Sequence, residues 1–276
     1  MAKHRYFPLR RNLLINLFGG PVVNAARAIA NQVLHAVHGF VDNFYMAIRP
    51  QITKSYASGN WEYMMTLIYQ GSKLSYYMLL LLCLPILLNT EYLLHLWLNI
   101  VPDHAVLFVQ LTLVFTMIES ISGPLITAQL ATGKIRNYQL VVGGLQMANL
   151  PVSYIFLKNG AMPEILLYVA IFFSVCCLAS RLYMLRDMIN LHVMGFLRNV
   201  VCNVLFVSIV SATIPLVIKG LMPENFVSFF VMSLLSVTFT ILSVLFVGCK
   251  KDERQLIRSH GKKFLLKMKS YMCNEK

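Results

Sequence analysis

Apolar residues fall along this chain in long runs, each closed by a short cluster of charged or turn-forming residues. Runs of about twenty apolar residues are what a helix needs to cross roughly 30 Å of hydrocarbon. Read in order, they predict spans over residues 73–98, 106–131, 138–157, 165–184, 197–218 and 226–247. Pro85 and Pro151 are expected to kink or interrupt theirs. The intervening segments, such as ATGKIRNYQ and KNGAMPE, read as turns, and residues 51–72 read as a polar, aromatic link.

One stretch is long enough for a span but is not clean. Residues 21–50 carry Asn24, Arg27, Asn31, His35, His38, Asp42 and Arg49 at spacings of 3, 4, 4, 3, 4 and 7 among alanines, valines and phenylalanines. At about 100° per residue, all seven fall in one arc roughly 80° wide. The expectation is a membrane helix with a polar stripe, ending at the Arg49–Pro50 boundary. With it the predicted spans number about seven.

Composition agrees with this class. Of 276 residues, 58% are hydrophobic and 13% charged, against about 25% charged in a soluble domain. Mean hydropathy is +0.65. The fold class expected is an all-α, polytopic membrane helix bundle. The net charge of +13 comes from basic residues at the two ends and between the apolar runs. That placement suits cytoplasmic loops beside anionic lipid and argues against nucleic acid. The six cysteines show no CxxC spacing, and Cys83, Cys176, Cys177 and Cys202 read as small core residues. No metal or other cofactor is expected, and no nucleotide, zinc-protease or hydrolase motif is present, so an enzyme is not expected.

Basic residues also set orientation. The polybasic tail, the links around Arg186 and Arg198, those around Lys134 and Arg136, and those around Arg49, Lys54 and Lys73 all fall on one side, the cytoplasm. The opposite links, around Asp103, Glu164 and Glu224, are poor in positive charge. Lys3, Arg5, Arg10 and Arg11 break the rule, because an odd number of spans puts them outside. Residues 1–20 are therefore expected to be the end of a preceding span. The chain divides into that segment, a five-helix core over 21–186, two further helices over 187–248, and a basic cytoplasmic tail over 249–276.

LLINLFGGPVVNAARAIANQV (13–33) and FVDNFYMAIRPQITKSYASGN (40–60) resemble segments of the polysaccharide flippases of the MOP transporter superfamily, the Wzx-like relatives of MATE exporters. So do LWLNIVPDHAVLFVQLTLV (96–114) and LATGKIRNYQLVVGGLQMANLPVSYIFLKNGAMPE (130–164). The similarity runs in order from about residue 13 to about residue 186. Such proteins have two facing six-helix bundles, often followed by two more helices, and this chain is similar to the second bundle with the extra pair. The resemblance implies a flippase of the bacterial inner membrane. Its substrate would be an undecaprenyl-pyrophosphate-linked oligosaccharide for O-antigen or capsule. Its partners would be membrane lipids and an opposite wall made by an N-terminal bundle, a second copy or the polysaccharide polymerase machinery.

The stripe has the chemistry such a task needs. Amides and imidazoles of Asn24, Asn31, His35 and His38 bond sugar hydroxyls. Guanidinium groups of Arg27 and Arg49 grip pyrophosphate in a two-pronged geometry. Asp42, and Glu119 beside Gly123–Pro124, are candidates for ion coupling. The same residues can equally bond neighbouring helices. Arg49 can reach headgroups, and Arg181 and Lys73 are expected to sit at the membrane interface. Two other readings stay open: a cation-coupled multidrug exporter of the MATE type, and a non-transporting fragment or scaffold.

Overall fold

The computed structural model describes residues 20–220 and 225–248; the expectations for residues 1–19 and for the basic tail lie outside them. All regular structure among the described residues is helical. Helix α1 runs Gly20–Ala57, α2 Trp61–Leu88, the short α3 Thr90–Trp97, α4 Ala105–Ala131, α5 Ile135–Lys158 and α6 Ile165–Ile189. Helices α7, Val193–Lys219, and α8, Phe226–Gly248, are the last among the described residues and each contains one π-type turn. Six helices, α2 and α4 to α8, are long and apolar enough to cross a membrane, which makes this a membrane protein with an α-helical bundle. Helix α1 is longer than any of them but more polar.

Four sequence expectations change. Helix α1 does not stop before Pro50 but continues through it to Ala57. A proline removes one N–H and crowds one carbonyl, and where the helix is exposed water satisfies what is lost. Residues 61–72 are not a link, since α2 begins at Trp61. The turn between α1 and α2 is tight: Gly59 takes a left-handed φ of 70°, and the Asn60 side chain caps α2 by accepting from the Tyr63 N–H at 3.2 Å. Tyr56 and Trp61 close the turn edge to face. The span predicted over 73–98 breaks at Asn89, so α3 is separate. Helix α5 runs unbroken through Gly143, Gly144 and Pro151.

Helix α4 is the hub. It packs against α1, α2 and α6, while α5 packs on α6, and α7 and α8 pack on each other and on α2. Close approach needs small residues, because lipid tails give helices no hydrophobic reason to associate. Gly123 of α4 lies against the Tyr45 ring so tightly that a Cβ there would stand 2.3 Å from Cζ. Gly71 of α2 meets Ile48 of α1 and Pro124 of α4 in the same layer. Polar bonds dock the last helix pair: the hydroxyls of Tyr76 and Tyr77 bond Ser208 and Asn203 at 2.8 and 2.5 Å. On the side read as outer, His104 at the start of α4 bonds Glu164 at the start of α6. Lys219 caps α2 through the Leu88 carbonyl.

Candidate functional site

The polar stripe of α1 exists, but the helix does not present it to its neighbours. The buried face of α1 is built from Val23, Ala26, Ala30, Val37, Val41, Tyr45 and Ile52. On a helical projection this face is centred about 90° from the stripe. The stripe therefore runs along the flank of the packed face, where the bundle leaves α1 open.

Its residues differ in burial. Arg27, at the edge nearest the packed face, is 8% exposed. Asn24 and Asn31 are half-buried, and Asn24 donates to the Gly20 carbonyl at 3.2 Å. His35, Asp42 and Arg49 are exposed, and His38 is half-buried. His38 Nδ1 and Asp42 Oδ2 are 3.0 Å apart, one turn from each other on the same helix. The Arg49 guanidinium lies over the Tyr45 ring, 5.5 Å from its centroid. Arg27 stands apart, fifteen residues or about 22 Å of helix from Asp42.

A second polar feature lies where α4 meets α1 and α2. Pro124 has no N–H, so the carbonyl four residues before it, that of Ser120, loses its helical partner. Two neighbouring helices replace that bond. The Tyr45 hydroxyl of α1 donates to Ser120 O at 2.6 Å, and the Ser75 hydroxyl of α2 donates to it at 3.0 Å. Next to it, Glu119 accepts from the Ser174 hydroxyl of α6 at 2.6 Å. Glu119, Asp42 and Arg49 all lie close enough to the Tyr45 hydroxyl to act on it electrostatically. The structure thus brings the lower stripe, Asp42 and Arg49, together with Glu119 around Tyr45.

Two basic residues expected at the interface are inside instead. Arg181 is 2% exposed and donates through Nη1 to the Ser122 hydroxyl of α4 at 2.9 Å; Lys73 is 5% exposed. For Arg181 the reason is position: helical side chains lean toward the N-terminus of their helix, which carries this one away from the end of α6 and onto α4. Lys73 lies a full three turns inside α2, because that helix starts earlier than its apolar run. Gln129 is fully buried and reaches Met184 of α6 at 3.7 Å. Cys83 and Cys177 are buried, whereas Cys202 is exposed. Tyr45, Ser75 and Ser174 were not picked out from the sequence. Pro124 signalled only the first two, since its position leaves the Ser120 carbonyl in need of donors; Ser174 donates to Glu119 instead. Among the described residues no group of three His, Cys, Asp or Glu side chains could hold a metal ion. Searches against family models, curated proteins and solved structures found no match.

Proposed function

We propose that this chain is the translocating part of a flippase. It would move an undecaprenyl-pyrophosphate-linked oligosaccharide across the bacterial inner membrane, for O-antigen or capsule. The observation that carries this reading is the open stripe of α1. A 38-residue helix packed on one apolar face holds seven polar or charged side chains along its flank, with Asp42 and Arg49 exposed. A charge at the bilayer centre costs at least about 2.5–3.5 kcal/mol. A flank of this kind is suited to a wet cavity and not to lipid. With α1 counted, the spans among the described residues number seven, and in this reading α1 runs from the outer to the cytoplasmic side.

In this reading the amide and imidazole groups of Asn24, Asn31, His35 and His38 exchange hydrogen bonds with sugar hydroxyls. Arg49 meets the pyrophosphate at the cytoplasmic end and Arg27 receives it near the outer end. The lipid tail stays in the bilayer. The resemblance to MOP-superfamily segments points the same way. The test is Arg27→Ala expressed from the native locus. Surface polysaccharide is lost while the membrane level of the protein is unchanged; normal polysaccharide in that strain overturns the assignment.

A second reading, a cation-coupled exporter, is favoured by one observation: Glu119 is held by a serine hydroxyl beside the helix break at Pro124. Carboxylates at interrupted membrane helices serve cation and proton sites. Efflux of an organic cation that depends on Glu119, with surface polysaccharide unaffected, would select it. In either reading Glu119 is the ion-coupling group, with Asp42 as the other candidate.

A further inference from the structure

The seam between α4 and α6 carries two opposite charges, and each is held by a neutral serine of the facing helix. Glu119 of α4 accepts from Ser174 of α6 at 2.6 Å. Arg181 of α6 donates to Ser122 of α4 at 2.9 Å. Arg181 is 2% exposed, so its charge does not reach headgroups or bulk water. Its buried Nε has no hydrogen-bond partner among the described residues. No carboxylate among them lies within ion-pair distance of it. A buried guanidinium with one neutral partner is a costly arrangement, which an anion relieves.

The anion available is Glu119. It is the only acidic residue in the sequences of α4 and α5, and α6 has only Asp187, at its exposed end. The geometry favours their meeting. Residue 119 meets 174, 122 meets 181 and 129 meets 184, so α4 and α6 run parallel. Ser122 is three residues past Glu119, about 4.5 Å of rise. The Arg181 side chain leans back along α6 toward Ser174, which is also the direction of Glu119. The two serine contacts therefore lie about one helical turn apart along α4, a span that a long arginine side chain can cover by changing rotamer.

We propose that Arg181 is the internal counter-charge of Glu119, a positioning residue that competes with the coupling ion for the carboxylate. When Glu119 is ionised and empty, Arg181 leaves Ser122 and pairs with it. When a proton or a small monovalent cation takes the carboxylate, Arg181 returns to Ser122. The inference rests on Glu119 being the ion site and adds the group that resets it. The Ser174 hydroxyl of α6 bonds the carboxylate itself, and Asp42 and Arg49 of α1 act with Glu119 on the neighbouring Tyr45 hydroxyl. None of them is a buried cation on the α4–α6 seam.

The experiment is labelling of Glu119 by dicyclohexylcarbodiimide in proteoliposomes, read by mass spectrometry across pH. The reagent modifies the protonated carboxyl, so labelling falls as pH rises. A unit charge within about two helical turns, about 10 Å, at an effective dielectric of about 20 shifts the balance more than tenfold. Arg181→Gln therefore moves the labelling midpoint up by about one pH unit or more, and Arg181→Lys, which keeps the charge, moves it far less. Ser122→Ala frees Arg181 for Glu119 and moves the midpoint down; it also serves should Arg181→Gln fail to fold. Midpoints unchanged in both Arg181→Gln and Ser122→Ala overturn the proposal. A separate arm compares sodium chloride with choline chloride in the wild type. If neither pH nor sodium alters labelling, the ion-site reading of Glu119 falls. If they do and the variants do not move the midpoint, only the role of Arg181 falls.

Discussion

The carbonyl freed by Pro124 offers a direct test of how this bundle is held together. Ser120 O accepts from Tyr45 at 2.6 Å and from Ser75 at 3.0 Å, so each donor backs up the other. Tyr45→Phe keeps the ring against Gly123 and removes only the hydroxyl; Ser75→Ala removes the other donor. Interhelical hydrogen bonds in membrane proteins are worth about 0.6 kcal/mol on average and up to about 1.7, so each single change destabilises by about that amount. Together they leave a buried carbonyl with no donor, a penalty of roughly 1–3 kcal/mol beyond the lost bonds. The double variant is thus expected to be less stable than the sum of the singles. Pro124→Ala gives α4 back its N–H and supplies Ser120 O from within the helix. In that background the excess penalty disappears. Unfolding is followed by tryptophan emission during denaturant titration in fixed mixed micelles, over a full cycle of the three sites. Additive single and double variants, or an excess that survives Pro124→Ala, refute the account.

Other predictions follow from contacts of the same kind. Gly123→Ala places a methyl group into the buried Tyr45 ring and is expected to cost about 1–3 kcal/mol. Gly144→Ala, whose Cβ meets nothing within 4 Å, is neutral or slightly stabilising in the same unfolding assay. His104→Ala strands the Glu164 carboxylate, which is 4% exposed and whose Oε2 already has no partner among the described residues. The expected loss is about 1–3 kcal/mol, and adding Glu164→Leu recovers part of it. A double variant no more stable than His104→Ala would refute that explanation.

Much of the architecture was legible in the chain. A run of about twenty apolar residues has one low-energy home, a helix in a bilayer, because lipid offers unpaired backbone groups no partners. Hence the spans over α4 to α8 lie where hydropathy puts them, within a few residues at each end. Periodicity placed the seven polar residues of α1 on one arc for the same local reason. What local rules do not contain is rotation and depth. Which side of α1 packs depends on what α2 and α4 present to it. Gly71 and Gly123 allow close approach on the Tyr45 side, so the stripe was left on the flank. Arg181 read as an interface anchor from its place near the end of an apolar run; only the position of α4 turned it into a buried charge held by Ser122. Likewise Pro124 announces an orphan carbonyl in the sequence, but the donors, Tyr45 and Ser75, lie 75 and 45 residues away from it. Helix existence follows from the chemistry of consecutive residues. The pairing of charges, hydroxyls and carbonyls across helices follows from packing between distant ones, which only the tertiary structure decides.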